Sequence, residues 1–347
     1  MTESPATPAQ ATPPHPPAID PVAKIQKTPI FMAVINELNV NADQLGKRQR
    51  LIVKIEEALT ARYGSANRLM SYVMRFGHPR TMMHTADIPS LETVLTSVSG
   101  ADQINLLLHS PGGDGTIVEK MVDMCRSHLA GGNRKLRVII PNIAKSAATL
   151  MAVGADQIVM GYCSELGPID PQVQIAVSGV IQWVSALAFV ESRDELMKQI
   201  AQAVKKKETT VGLLQQLAGL NIPFTNECSN SIAFAKKTAV TLLDKYMLRP
   251  AFERPKARAK KASEIAEKLL SKQLFPVHGQ YIDGATAKKE LGLEVEVLDK
   301  DDQLWQLLWD YYIRCEVQMN IPLNPQLIKT KLLESSQTSL VTQDVAN

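Results

Sequence analysis

Three short apolar runs constrain this chain more than anything else in it. INLLLHS (104–110), LRVIIP (136–141) and DQIVMG (156–161) are continuous rather than alternating, which is the pattern of strands buried on both faces. The stretches between them carry the helical period. GTIVEKMVDMCRSHLAG lines up Ile117, Val118, Met121, Val122 and Cys125, and AKSAATLMAVGA (144–155) is a short helix of small residues. Strand, helix, strand, helix, strand in succession predicts right-handed crossovers and a largely parallel sheet, hence an α/β core.

The flanks extend this core. KRQRLIVKIEEALT (47–60) sets Leu51, Ile52, Ile55 and Leu59 on one face, SYVMRF (71–76) reads as a strand, and DIPSLETVLTSV (87–98) opens as a helix with proline at an early position. Past residue 173 come a hairpin (VQIAV, VIQWV) and helices near 186–206, 209–219, 226–247 and 256–272. An amphipathic helix follows near 302–318, with Trp305, Trp309, Tyr311 and Tyr312 as a packing stripe. Residues 1–22, with seven prolines, cannot build a core and read as a disordered leader. The expected organisation is that leader, a main domain over 23–300, a helical C-terminal extension over 301–333 and a flexible polar tail over 334–347.

Bulk properties exclude several classes. A net charge of +3 over 347 residues gives no reason to expect nucleic acid. The basic runs Lys205–Lys207 and Lys256–Lys261 lack the interleaved aromatics of a single-strand binder. No apolar run approaches the ~20 residues that span a bilayer, and the N-terminus has no signal-peptide core. Cys125, Cys163, Cys228 and Cys315 form no CxxC pair, as expected of a reducing, cytoplasmic compartment. Glu165 and Asp170 share one loop but are too few for a metal site, so neither a metal nor a cofactor is expected.

Two turns carry the chemistry. Ser110-Pro111-Gly112-Gly113 lies at the carboxyl end of one buried strand, where paired glycines let the backbone approach a ligand with N–H groups free. Thirty-six residues on, Ala144-Lys145-Ser146-Ala147-Ala148 makes a second strand-to-helix turn. A serine there gains from the helix dipole as negative charge develops, and the Ala147 N–H becomes a second oxyanion donor. Taken singly, the first is also an ordinary tight turn and Ser146 an ordinary N-cap. Both open at the carboxyl edge of one parallel sheet, where α/β sites form.

LLLHSPGGDG, followed by IIPNIAKSAATLMAVGADQIVMGYCSELGPIDPQ, resembles the serine dehydrogenase proteinase family of the Clp/crotonase superfamily, relatives of the Clp protease subunit and signal peptide peptidase A. The similarity runs from about Lys47 to Val297, including HGQYIDGATAKKELGLEV. It implies a spiral of ββα units, Ser146 as nucleophile, an oxyanion hole from Gly112 or Gly113 plus Ala147, and a homo-oligomer.

The resemblance breaks at the base. A Clp-type protease carries histidine in the loop after the third strand, whereas LGPIDPQ offers Asp170. Three candidate bases stay in play, with Asp170 beside them. Lys198 falls 52 residues after Ser146, roughly where a signal peptide peptidase places its lysine, but inside a charged helix. His278 precedes GATAKKELGL and could be oriented by Asp170. Lys145 neighbours the serine but should project elsewhere. Asp170 itself would serve a carboxylate mechanism. His109 is either a plain strand residue or a support for the oxyanion loop. The resulting expectation is a cofactor-independent serine peptidase acting on polypeptides. The alternatives are a crotonase-type acyl-CoA hydrolase or isomerase, and a non-catalytic oligomeric scaffold.

Overall fold

Successive residues of a strand point to opposite sides of a sheet, and in the computed structural model of the chain both sides are covered. The structure describes residues 30–40, 43–78, 81–177, 179–320 and 326–345; the proline-rich segment 1–22 lies outside them. The strands are β1 (Asn67–Met74), β2 (Gln103–His109), β3 (Lys135–Ile140), β4 (Ile143–Ala144), β5 (Gln157–Gly161), β6 (Glu165–Leu166), β7 (Gln172–Val177), β8 (Val180–Ser185), β9 (Val295–Leu298), β10 (Leu327–Ser335) and β11 (Ser339–Val345). The main helices are α1 (Ile30–Asn39), α2 (Gln44–Tyr63), α3 (Ile88–Ser97), α4 (Val118–Ser127), α5 (Ala147–Val153), α6 (Ala186–Lys206), α7 (Val211–Ala218), α8 (Ile222–Leu242), α9 (Pro255–Leu270) and α10 (Gln303–Asn320).

The central sheet has the order β11-β10-β1-β2-β3-β5-β9. Its β1, β2, β3, β5 and β9 are parallel, as the strand–helix rhythm predicts. Tyr72, Leu106, Val138 and Met160 face a core shared with α3, α4, α5, α8 and α9. Val73, Leu107, Ile139 and Val159 face the opposite core, against Ile52, Ile55 and Leu59 of α2 and Leu304, Leu308 and Tyr311 of α10. Two-sided burial is why these strands read as unbroken apolar runs. Cys125, Cys228 and Cys315 are buried fillers and no described cysteine is paired.

The second strand of each ββα unit leaves the main sheet. β4 pairs in parallel with β6, Ser110 bridges to Ala144, and Leu166 bridges to Ile282. A narrow second layer thus sits at the carboxyl end of the large sheet. It is the layer that brings residues 110–113, 144–148, 165–170 and 278–282 together.

The expected C-terminal helix is present as α10, but the segment after it is not the flexible tail expected. After α10 the chain returns as the hairpin β10–β11, and β10 pairs antiparallel with β1, Met70 opposite Ser335. The polar composition of this segment is misleading because its charged side chains are buried with hydrogen-bond partners. Glu334 accepts from Arg48 at 3.0 Å and from the Tyr311 hydroxyl at 2.9 Å, Lys331 bonds Asp87, and the Lys329 ammonium donates to the Gln318 carbonyl at 2.7 Å. A buried charge is tolerated when it is paired and hydrogen-bonded.

Candidate active site

Ser146 has φ 51° and ψ −116°, a left-handed conformation that costs a side-chain-bearing residue ~1–3 kcal/mol. Such a sharp strand-to-helix turn lifts a side chain out of the sheet edge. The hydroxyl does not cap α5, which removes the N-cap reading, and Ser146 lines a cleft of about 800 Å³.

The glycine turn is locked against this elbow. Ser110 N–H donates to the Ile143 carbonyl at 3.0 Å and Lys145 N–H to the Ser110 carbonyl at 3.1 Å. On its other side, Met83 N–H donates to the Gly112 carbonyl at 2.8 Å and Asp114 N–H to the Met83 carbonyl at 2.9 Å. This alternation turns the Gly113 N–H away from Met83. The Gly112 N–H donates to the Ser110 hydroxyl oxygen at 3.0 Å. The N–H groups of Gly113 and Ala147 make no hydrogen bond to any described residue. Gly112 (φ 102°) and Gly113 (φ 145°) both have backbone angles that favour glycine. A Cβ on Gly112 would stand 2.6 Å from the Lys145 carbonyl oxygen and 2.9 Å from Ser146 Cβ, and one on Gly113 would stand 2.4 Å from Met83 N. Alanine at either position is therefore expected to cost more than ~1 kcal/mol of stability as well as turnover. Parallel melting curves and rates check this, and an unchanged melting temperature would contradict the packing.

His278 and Asp170 meet across 108 residues, with His278 Nδ1 2.7 Å from Asp170 Oδ1. Burial raises the Asp170 carboxyl, but the hydrogen bond and charge of His278 outweigh it and hold the group below its ordinary value. His278 lines the same cleft as Ser146 and Asp170 does not. Leu166 N–H donates to the Ile282 carbonyl at 2.9 Å, and Ile282 returns the bond at 3.2 Å. This pairing holds the two segments side by side.

Lys198 is exposed on α6 and does not line the cleft. Lys145 runs away from the cleft, its ammonium 3.1 Å from the Leu166 carbonyl. His109 is buried behind the turns. The Ile143 N–H donates to its Nδ1 at 3.3 Å, the Tyr312 hydroxyl lies 3.4 Å from its Nε2, and burial pushes the imidazole down to about 3. It is therefore a neutral prop under both turns. The rest of the cleft includes Met82, Met83, Leu150, Ile169, Trp183 and Phe234, an apolar wall that short-range sequence patterns do not reveal.

A parallel sheet with a small second layer, and a strained serine facing a glycine turn at its carboxyl edge, define a ClpP-like serine hydrolase framework. Residues 24–218 match the family described as ClpP-like SDH-type serine proteinases, and the chain belongs to that family. The match includes Ser146 and Asp170 and ends before His278. Two uncharacterized proteins of Methanocaldococcus jannaschii are similar. One is 35% identical over 89 residues, which are 25% of this chain and 30% of that protein. The other is 39% identical over 70 residues, 20% of this chain and 23% of that protein. The chain thus spans less than a third of the curated relatives it matches. Among solved structures, a variant of a membrane-bound stomatin-specific protease aligns with TM-score 0.37 and 14% identity, over 65% of this chain and 79% of that one. A second variant, in complex with a substrate peptide, aligns with TM-score 0.36 and 16% identity, over 62% and 71%.

Proposed function

We propose that this chain is a serine peptidase that hydrolyses polypeptides without a cofactor. The observation that carries the reading is one cleft lined by both Ser146 and His278, with Asp170 behind the imidazole at 2.7 Å. In the proposed reaction Ser146 Oγ attacks the scissile carbonyl carbon, and His278 takes the hydroxyl proton and later delivers it to the leaving amine. Asp170 holds the ring in the tautomer that presents the other nitrogen. The N–H groups of Gly113 and Ala147 receive the oxyanion, while Gly112 keeps the turn pressed against Ser146. The chain order is serine, aspartate, histidine, an order that other serine hydrolases also use. Capture of Ser146 by a fluorophosphonate, mapped by mass spectrometry, tests the assignment.

The acyl-CoA alternative needs a carboxylate facing the substrate, and Asp170 is turned to His278 instead. The scaffold alternative rested on the missing loop histidine, and His278 supplies an imidazole from a later segment.

The reading extends to a cytoplasmic homo-oligomer. Four unpaired cysteines suit a reducing compartment, and no described helix is long and apolar enough to cross a membrane. The β7–β8 hairpin exposes Val180, Ile181 and Trp183, apolar side chains suited to burial against further copies. Light scattering at micromolar concentration is expected to give a multiple of the 38.1 kDa chain mass. A monomer would remove this part of the proposal.

A further inference from the structure

The proposed chemistry leaves unused a buried cation directly beside the nucleophile. Lys145 stands next to Ser146 but is only 8% exposed, and its ammonium is spent away from the cleft. Its Nζ lies 3.1 Å from the Leu166 carbonyl, 3.0 Å from that of Gln280, 3.4 Å from that of Gly279 and 3.1 Å from Glu165 Oε1. An ammonium has three N–H donors, so these four acceptors occupy all of them. The path of the side chain depends on Gly167, where a Cβ would come within 2.4 Å of Lys145 Cδ. Burial lowers the Lys145 pKa, and the hydrogen bond and charge of Glu165 oppose that.

These partners are spread over the other two segments of the site. Glu165 and Leu166 begin the loop that carries Asp170, and Gly279 and Gln280 directly follow His278. The His278 segment is otherwise anchored at its two ends, by buried Phe275 and by Ile282 in its bridge to Leu166, while Pro276, Val277 and Gly279 between them are exposed. We propose that Lys145 is a positioning residue: by binding the backbone on either side of the catalytic layer it fixes His278 relative to Ser146. The proposal rests on His278 being the base. An interaction of this kind matters because a displacement of ~1 Å between reacting groups can cost ~10²-fold in rate.

The test follows fluorophosphonate labelling of Ser146 against pH in the full chain, together with amide exchange over residues 278–282. Lys145→Met keeps the length of the side chain and removes the charge. Gly167→Ala keeps the charge and blocks the route. Each is expected to lower the labelling plateau by ~10–10²-fold, with the pH midpoint unmoved and exchange of 278–282 faster. His278→Ala should remove the pH-dependent rise altogether. Wild-type labelling in Lys145→Met, or slower labelling with unchanged exchange, overturns the proposal. If His278→Ala labels like wild type, the base assignment fails and the positioning role falls with it. A pH rise that vanishes in Lys145→Met but survives in His278→Ala makes Lys145 the base and overturns both. Should Lys145→Met not fold, Gly167→Ala decides by the same criteria.

Discussion

Ser146→Ala is expected to abolish peptide hydrolysis and fluorophosphonate capture, with turnover falling by ~10⁴–10⁶-fold, while the fold is retained. The hydroxyl caps no helix, so its removal deletes no described structural bond. Alanine keeps the Cβ, so the unusual φ of 51° is no harder to reach than for serine. The loss should therefore appear in the rate alone. Circular dichroism and melting temperature should match wild type, and mass spectrometry should locate the label of the wild-type protein on Ser146. Residual turnover near the wild-type level, or a label on another residue, would end the peptidase reading.

His278→Ala carries the second large effect, a loss of about 10⁴-fold, and Asp170→Asn a comparable one because it leaves the imidazole in the wrong tautomer. Lys198→Ala, on an exposed helix outside the cleft, should change little. An imidazole accepts the serine proton only when neutral, so wild-type activity is expected to rise with pH as the base loses its proton. Asp170 is held below its ordinary carboxylate value and stays charged throughout that rise. The same shift has a stability consequence with a definite sign. A carboxylate depressed by folding contributes its full stabilisation above its unfolded value of ~3.9 and loses it as pH falls through the lower folded value. His278→Ala should therefore shrink the loss of stability on acidification below about pH 4. A pH–rate profile on the three variants checks the assignment, and normal turnover in His278→Ala with loss in Lys198→Ala would reverse it.

Much of this was legible in the sequence because the informative segments are local. A strand buried on both faces, a glycine turn and a small-residue helix start are each contained within about ten residues, and their succession predicts the parallel sheet and its active edge. Ser146, Gly113 and Ala147 follow from that edge. His278 and Asp170 could be named as a possible pair, but what holds their segments together is the Leu166–Ile282 bridge, a contact across more than a hundred residues that no periodicity records. The division of labour proposed for the two glycines was hidden for a related reason. Which N–H is spent depends on the Ser110 hydroxyl and on Met83. The C-terminal hairpin was hidden because its sequence divides between a helical extension ending at 333 and a polar tail over 334–347, and only the arrival of Arg48, Asp87 and Tyr311 from elsewhere makes burial of its charges acceptable.

That hairpin also sets the order in which the molecule can be completed. β1 is synthesised early, but its pairing partner on one side, β10, emerges only after the entire catalytic layer and α10 have been made. Until then one row of β1 backbone groups is open to any extended strand nearby, and Arg48 of α2 lacks the carboxylate that neutralises it. Pairing across such a sequence separation is slow to form. Until β10 pairs, the sheet has an open border at β1, and its closure couples the integrity of the site to a hairpin made after it.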